Sequence, residues 1–267
     1  IERHAAYSWG APFHTNTGPA SMERITWQVV PEENTRTVAV LTGQSEITQY
    51  VPDAALAQLR GAPTVEVVRS DLAFWTYFMG FKIDKATVSD AAVRQAINLA
   101  VDQTAMAEDL FFGEVEPAYS YVSQGALDWN TALDDTLLTY NPEEANRILD
   151  EAGWELGSDG VRSKDGVRLE PIAYVFAGST WGKISESVQA YLREIGVAMD
   201  IQAFDATVAW GRLATQEFDM FGMSFPYVSS GDALNLYFRS ENMPTPNRMN
   251  WSDAETDELL QAGKTAL

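Results

Sequence analysis

The segment from residue 169 to residue 204 constrains the fold of this chain more than any other part of the sequence. Its pattern predicts a strand over residues 169–176, an amphipathic helix over residues 185–195 and a second strand over residues 198–204. Two strands joined in this way form a βαβ unit, in which the strands lie parallel and the crossover is right-handed. The sequence therefore predicts an α/β fold.

A short, tightly bounded helix is predicted over residues 140–154. Asn141 is its expected N-cap, Pro142 its first residue, and Glu144 the reciprocal partner of a capping box. Gly153 supplies the left-handed exit. The apolar face consists of Ala145, Ile148, Leu149 and Ala152. A helix with one apolar face is expected to dock on a core.

The remaining elements follow from similar patterns. Alternating or apolar runs predict strands over residues 25–30, 65–68, 73–81 and 219–225. Ser89 or Asp90 is expected to open one long helix, and Asp102 to cap the next. The string from Gly178 to Lys183 lies between a strand and a helix but lacks the Walker spacing, so we interpret it as an ordinary turn.

The amino-acid composition narrows the classes of molecule that this protein is expected to bind. The chain has 267 residues, enough for one large domain or two, with 18 basic against 38 acidic residues and a net charge of −20. Such a charge repels phosphate backbones and anionic lipid surfaces, which argues against nucleic acid and membrane-surface partners.

The absence of cysteine excludes disulfides and thiolate chemistry. Because no run of 18 apolar residues occurs, direct membrane insertion is not expected. Both ends are interpreted as cut.

Several collinear fragments resemble one family. The longest is Tyr-Asn-Pro-Glu-Glu-Ala-Asn-Arg-Ile-Leu-Asp-Glu-Ala-Gly-Trp at residues 140–154, followed by turns at Gly160 and Gly166. Others occur at residues 31–36, 43–47, 93–98, 195–197 and 218–219. On these residues the chain resembles bacterial extracellular solute-binding proteins of family 5, the dipeptide, oligopeptide and nickel receptors of ABC importers.

The resemblance implies a type II periplasmic-binding-protein fold in a fragment that lacks the N-terminal part and the C-terminal end. Residues 1–72 are then part of the first lobe, and residues 73–267 are most of the second, with a mixed sheet flanked by helices. The implied function is capture of a small solute, peptide-like by default, between two lobes in the periplasm. Delivery to an ABC permease in the inner membrane follows, with neither cofactor nor catalysis.

The expected solute-binding segment departs from the peptide-binding pattern. Peptide-binding relatives read Gly-Trp-x-x-Asp-Tyr, and the Asp pairs with the ligand's α-ammonium. Here the string runs from Gly222 to Tyr227, with Met223 at the Trp position and Pro226 at the Asp position. Since proline carries no charge, a sugar, an opine or a metal chelate remains an alternative to a peptide.

Six residues are the candidate ligand-binding set, and each has more than one interpretation. Met223, Phe225 and Tyr227 either line an adaptable apolar pocket or pack in the core. Ser229 belongs to the same segment, where Asp232 either replaces the missing charge or caps a helix from Ala233. Lys82 faces solvent or an anionic ligand.

Other functions remain as rivals. A metal site built from His4, His14 and Glu2 is possible, although exposed loop histidines are the favoured interpretation, and no metal site is expected. The rival from another class is a carboxylate-based hydrolase, which needs two converging acidic groups with separated pKa values. A non-transporting binding module is the third possibility.

Overall fold

The computed structural model describes residues 1–69, 75–122, 124, 126, 129–227 and 229–266. The chain divides into two compact units, Ile1–Arg69 and Ser70–Leu267. The lobe boundary expected after residue 72 lies outside the described residues. The first unit contains the helices α1 (Glu33–Leu41) and α2 (Leu56–Gly61).

The first unit contains helices but, within residues 1–69, no strand ladder. The Glu32 carboxylate caps α1 by accepting backbone hydrogen bonds from Asn34 and Thr35, at 2.9 and 2.5 Å. The strands predicted over residues 25–30 and 65–68 are wrong, because strand pairing within residues 1–69 is limited to a bridge between Glu2 and Arg24. Val29 is 90% exposed. An alternating pattern without a neighbouring strand does not form a ladder.

The second unit is built on a four-stranded mixed sheet. Its strands are β1 (Trp75–Phe81), β5 (Ile172–Phe176), β6 (Asp200–Phe204) and β7 (Met220–Pro226). Their order is β1-β7-β5-β6; β1 is antiparallel to β7, and the other neighbours are parallel. The parallel pair β5 and β6 confirms the predicted βαβ unit. Of the strand predicted over residues 73–81, residues 73 and 74 lie outside the described part.

Helices and a small hairpin sheet complete the second unit. The helices are α3 (Ala91–Ala100), α4 (Gln103–Phe111), α5 (Pro142–Glu151), α6 (Ser179–Glu194), α7 (Ala206–Thr215), α8 (Ser230–Phe238) and α9 (Ala254–Thr265). The small sheet consists of β2 (Glu155–Leu156), β3 (Arg162–Lys164) and β4 (Val167–Arg168), all antiparallel. Single-turn 3₁₀ helices span Asp53–Ala55 and Ser240–Asn242, and a longer one spans Thr131–Thr136.

The predicted helix caps are largely confirmed. The side chains of Asp90, Asp102 and Asn141 accept backbone hydrogen bonds at the starts of α3, α4 and α5, at 2.9–3.0 Å. The reciprocal hydrogen bond predicted for the capping box, from the Asn141 N–H to the Glu144 carboxylate, is wrong. The Asn141 N–H donates to the Leu99 carbonyl, and the Glu144 carboxylate binds Arg147. A basic side chain one turn away offers a charge-assisted hydrogen bond, which is stronger than the capping contact.

The core lies on both faces of the sheet. Along β5, Ala173 belongs to one buried cluster, whereas Tyr174 and Phe176 belong to the other. The first cluster packs against α3, α5 and α6, and the second against α7 and α8. Since successive strand residues point to opposite faces, both faces are covered by helices, as the predicted α/β class requires.

Asp219, just before β7, connects three parts of the sheet. Its Oδ2 accepts a hydrogen bond from the Ile172 N–H and its Oδ1 one from the Thr87 hydroxyl, both at 2.8 Å. Its own N–H donates to the Ile172 carbonyl, and its carbonyl accepts from the Lys82 N–H. This one residue therefore joins the start of β5, the start of β7 and the end of β1.

Arg162, in β3, is the second buried polar centre and is 3% exposed. Its guanidinium donates to the Ile195 and Trp154 carbonyls and to the side chains of Asp150 and Asn146, at 2.5–2.9 Å. These four acceptors come from α5, the residues after it and the end of α6. Arg162 thus fixes the small sheet against both helices.

Asp219→Ala tests the junction at the start of the sheet. The substitution removes two acceptors and leaves the Ile172 N–H unpaired, so we expect the free energy of unfolding to fall by about 2–4 kcal/mol. Urea denaturation measures this change. Glu186→Ala, at an exposed position of α6, is the matched control and should stay within about 0.5 kcal/mol. Equal denaturation midpoints for the two variants would contradict the role of Asp219.

Candidate functional site

The candidate site is the edge of the sheet at which the parallel strands end. β5, β6 and β7 end at Phe176, Phe204 and Pro226. Because β1 runs the other way, with Trp75 opposite Pro226, its first residues lie at the same edge. Open α/β sheets bind ligands beyond the carboxyl ends of their strands. We call this region the carboxyl edge.

A row of aromatic side chains follows the carboxyl edge. Trp181, in the first turn of α6, lies between Tyr77 and Phe176, with ring centroids 5.9 and 5.7 Å away. Trp210, on α7, continues from Phe176 at 5.3 Å. Trp210 is 50% exposed, and Trp181 and Tyr77 are half-buried. This aromatic row comprises Tyr77, Trp181, Trp210 and the buried Phe176, and its partly exposed rings offer flat apolar surfaces for a solute.

Hydrogen bonds hold the aromatic row in place. The buried Ser185 hydroxyl donates to the Trp181 carbonyl at 3.0 Å and lies 3.1 Å from the Tyr77 hydroxyl. Since serine has one hydroxyl hydrogen, Tyr77 is the donor to Ser185. Burial raises the pKa of Tyr77 above its ordinary value. The phenol is therefore neutral at physiological pH.

Gly222 makes room for the aromatic row from the neighbouring strand. A Cβ atom at this position would overlap the Tyr77 hydroxyl oxygen and lie 3.1 Å from its Cζ. Only a residue without a side chain leaves Tyr77 this close to β7. The packing of Tyr77 against β7 thus explains why glycine occupies position 222, at the start of the expected solute-binding string.

The structure separates the six predicted ligand-binding residues. Met223 is buried in the core, where its Sδ accepts a 3.5 Å hydrogen bond from the Tyr237 hydroxyl. Tyr227 is buried directly after β7. The side chain of Phe225 lies outside the described part of the structure. Met223 and Tyr227 therefore belong to the buried part of the second unit.

At α8, the predicted cap is wrong by three residues. The hydroxyl of Ser229 accepts the hydrogen bond from the Asp232 N–H at 3.1 Å, so Ser229 is the N-cap. Asp232 is the third residue of the helix and is exposed. A serine three positions earlier reaches the same backbone group. The Asp232 carboxylate is not the N-cap of α8. It adds negative charge to the first turn of this helix.

Lys82 lies at the opposite end of the sheet from Phe225 and Tyr227, whereas Met223 lies in the middle of β7. It follows the last residue of β1, about 20 Å along the strand from the carboxyl edge. The solvent-facing interpretation is wrong, because Lys82 is 5% exposed. Its Nζ donates to both oxygens of Asp84 at 2.5 and 2.7 Å. Burial opposes ionisation of Asp84, but hydrogen bonds from Lys82 and Asn250 hold the pKa of Asp84 below its ordinary value.

The alternative metal site does not assemble. His4 lies against Trp9 and His14 against Phe13, with ring centroids 5.5 and 4.6 Å apart. Across the described ranges, no group of three or more His, Cys, Asp or Glu side chains is placed to hold a metal ion. Within the same ranges, no helix has the length and apolar character needed to cross a bilayer.

None of the four residues of the aromatic row is among the predicted site residues. Trp181 falls in the string interpreted as a turn, whereas α6 begins at Ser179 directly after Gly178. Tyr77 lies in β1 and Trp210 in α7. The sequence pattern does not show which strands and helices pack beside these two elements. The available signal was an aromatic residue in the first turns of a helix that follows a parallel strand, since such turns lie beside the carboxyl edge.

The second unit is an α/β unit with an aromatic carboxyl edge, and comparison with known proteins identifies the family to which the chain belongs. The family model described as bacterial extracellular solute-binding proteins, family 5 Middle, matches residues 1–244. The chain belongs to this family, as the sequence motifs indicate.

Named relatives bind different solutes. The oligopeptide-binding protein AppA of Bacillus subtilis (strain 168) is 24% identical over 99% of this chain and 48% of its own length. The nickel-binding periplasmic protein of Escherichia coli (strain K12) is 26% identical over 77% of this chain and 39% of its own length. The chain thus spans about half the length of the curated relatives that it matches.

Solved structures confirm the expected type II periplasmic-binding-protein fold. The B. subtilis AppA structure with a nonapeptide has a TM-score of 0.79 at 23% identity, covering 93% of this chain and 50% of its own. An oligopeptide-binding protein of Thermotoga maritima with bound mannohexaose has a TM-score of 0.69 at 18% identity, covering 87% and 47%. At these identities the likeness establishes the fold alone.

Gly222→Ala tests the contact between β7 and the aromatic row. We expect the added methyl group to displace Tyr77 and to lower the free energy of unfolding by about 1–3 kcal/mol. In a Tyr77→Phe background the loss should be smaller, because the nearest atom is absent. Thermal and urea unfolding of the double-mutant cycle measure this coupling.

Gly211→Ala is the control for this cycle. Gly211 lies in α7 with no atom within 4 Å of an added Cβ, so alanine should stabilise the helix by about 0.5–1 kcal/mol. An equal loss for Gly222→Ala with and without the Tyr77 hydroxyl would show that the close approach is not the cause.

Proposed function

We propose that the full-length protein is the periplasmic solute receptor of an ABC importer. Family membership supports this proposal, and the aromatic row at the carboxyl edge of the second unit is the observation that carries it. In this proposal Ser70–Leu267 supplies most of one lobe and Ile1–Arg69 part of the other. The receptor captures a small solute by lobe closure and delivers it to a membrane permease.

The chemistry of the carboxyl edge favours capture without reaction. Half-exposed aromatic rings bind a solute through apolar area and stacking, with a few polar groups that fix its orientation. Contacts that form only in the closed receptor shift the population towards closure. No covalent step is needed for this work.

Peptide-like solutes remain the first class to test. AppA, matched by sequence and by structure, supports this choice through its name and its bound nonapeptide. The absence of a carboxylate at Pro226 means that a free peptide amine is not anchored there as in the peptide-binding pattern. A sugar, an opine or a metal chelate is therefore the second class, and the mannohexaose-bound relative supports including sugars.

The rival hydrolase requires a carboxyl group with a raised pKa as general acid. Within the described residues the shifts found for carboxylates run downward. Hydrogen bonds from the Thr256 hydroxyl and backbone lower the pKa of Asp253. Those from the Val161 backbone and the Arg168 guanidinium lower the pKa of Asp159. Both groups are therefore ionised at neutral pH and are not candidates for the general acid.

A thermal-shift screen of the full-length protein tests the proposal. Peptides, sugars, opines and nickel chelates are added in turn, and at least one should raise the melting temperature. At about 100 times its Kd, a solute stabilises the folded state by about 2.7 kcal/mol. A protein that no solute stabilises, but that hydrolyses one of them, is not a receptor.

Trp181→Ala then locates the site. Loss of one stacking surface should weaken the stabilising solute about five- to tenfold in calorimetric titration. Phe112→Ala is the matched control, because Phe112 is an exposed aromatic residue at the end of α4 and is not part of the aromatic row. If Trp181→Ala binds as tightly as the Phe112 variant, the solute does not use the row.

A further inference from the structure

Arg248 differs from the other buried basic residues of the structure. Among the described residues, the buried basic side chains are Lys82, Arg162 and Arg248. Lys82 is paired with Asp84, and Arg162 with Asp150 and three further acceptors. Arg248 is 9% exposed, yet within the described ranges it forms no salt bridge and its Nε has no hydrogen-bond partner.

The position of Arg248 is fixed by its surroundings. The neighbouring Asn247 is fully buried, and its amide donates to the Arg239 and Trp251 carbonyls at 3.0 and 2.8 Å. The Arg248 N–H itself donates to the Pro246 carbonyl. The side chain therefore extends from a loop that is tied down on both sides.

The guanidinium of Arg248 meets the end of the aromatic row. Its Cζ lies 5.5 Å from the ring centroid of Trp210, within the range of a cation–π contact. Burial lowers the pKa of Arg248, and the nearby Tyr237 hydroxyl opposes this effect. Half of the Trp210 surface is open to solvent, so the guanidinium contacts a ring that is partly exposed.

A buried guanidinium without a counter-ion is costly, because removal from water is not offset by an ion pair. A cation–π contact offsets only part of this cost. A planar guanidinium binds a carboxylate through two parallel hydrogen bonds. The missing partner is therefore an anion with that geometry.

We propose that Arg248, backed by Trp210, is the anion subsite of this receptor and binds a carboxylate group of the solute. This inference rests on the proposed receptor function and adds the class of solute to it. A solute that lies along the aromatic row presents its carboxylate to Arg248 at the Trp210 end. The subsite supplies a charged anchor for the solute. This chain lacks the carboxylate anchor of the peptide-binding pattern, because Pro226 occupies that position.

Small aryl carboxylates probe the subsite whatever the natural solute is. Phenylacetate and its neutral analogue phenylacetamide are titrated into the full-length protein, and the Nε–H resonance of Arg248 is followed by NMR. We expect phenylacetate to shift this resonance and to bind at least about tenfold more tightly than phenylacetamide. Equal affinities of the two probes would overturn the proposal.

Variants separate a ligand role from a structural one. Arg248→Met should lose the preference for phenylacetate and raise the melting temperature of the unliganded protein by about 2–4 °C, because an unpaired buried charge is removed. Arg248→Lys should fold normally and keep part of the preference. Arg212→Met, which removes a cation–π contact with Phe204 from exposed α7 surface, should keep all of it. A melting temperature lowered by Arg248→Met would assign the residue to structure instead.

Failure of this inference is distinguishable from failure of the receptor proposal. If the screen finds a stabilising solute and Arg248→Met binds it with unchanged affinity, the receptor stands and the anion subsite falls. If no solute stabilises the protein but phenylacetate still shifts the Arg248 resonance selectively, the subsite stands without the transport role.

Discussion

The four hydrogen bonds of Asp219 determine where β7 begins, and the composition of the carboxyl edge depends on that starting point. Both carboxylate oxygens and both backbone groups of Asp219 are engaged with β5, the end of β1 and Thr87. A slip of one residue in β7 would exchange its two faces. Phe221 and Met223 would then leave their own core cluster for the opposite face of the sheet, and Gly222 would no longer lie against the Tyr77 hydroxyl. The junction at one end of the sheet therefore positions the aromatic row at the other.

The residues on which the family resemblance rests belong to the scaffold. Asn146, Asp150 and Trp154 all accept hydrogen bonds from the buried Arg162. These contacts fix α5 and the small sheet to the rest of the second unit, and none of them lies on the aromatic row. A motif of this kind identifies the fold and does not specify a solute. This division explains how relatives with one scaffold bear the names of an oligopeptide and a nickel receptor.

Local signals were sufficient for part of the fold and insufficient for the site. The caps at Asp90, Asp102 and Asn141 were predictable because each depends on backbone groups two or three residues away. The βαβ unit was predictable from alternation, but α6 begins at Ser179, six residues before the predicted start, because its polar first turn resembles a loop. The strand predicted over residues 25–30 is wrong, since a ladder needs a partner that the pattern does not contain. Convergence of Tyr77 and Trp181 depends on the strand order β1-β7-β5-β6, which no local pattern encodes.

The central claim is that the solute binds at the carboxyl edge of the second unit, on the aromatic row. A crystal structure of the full-length protein with its most strongly stabilising solute tests this claim most directly. The account predicts solute atoms within about 4 Å of Trp181 or Trp210, the distance of apolar contact. A solute that is bound without touching Tyr77, Trp181, Phe176 or Trp210 would contradict it.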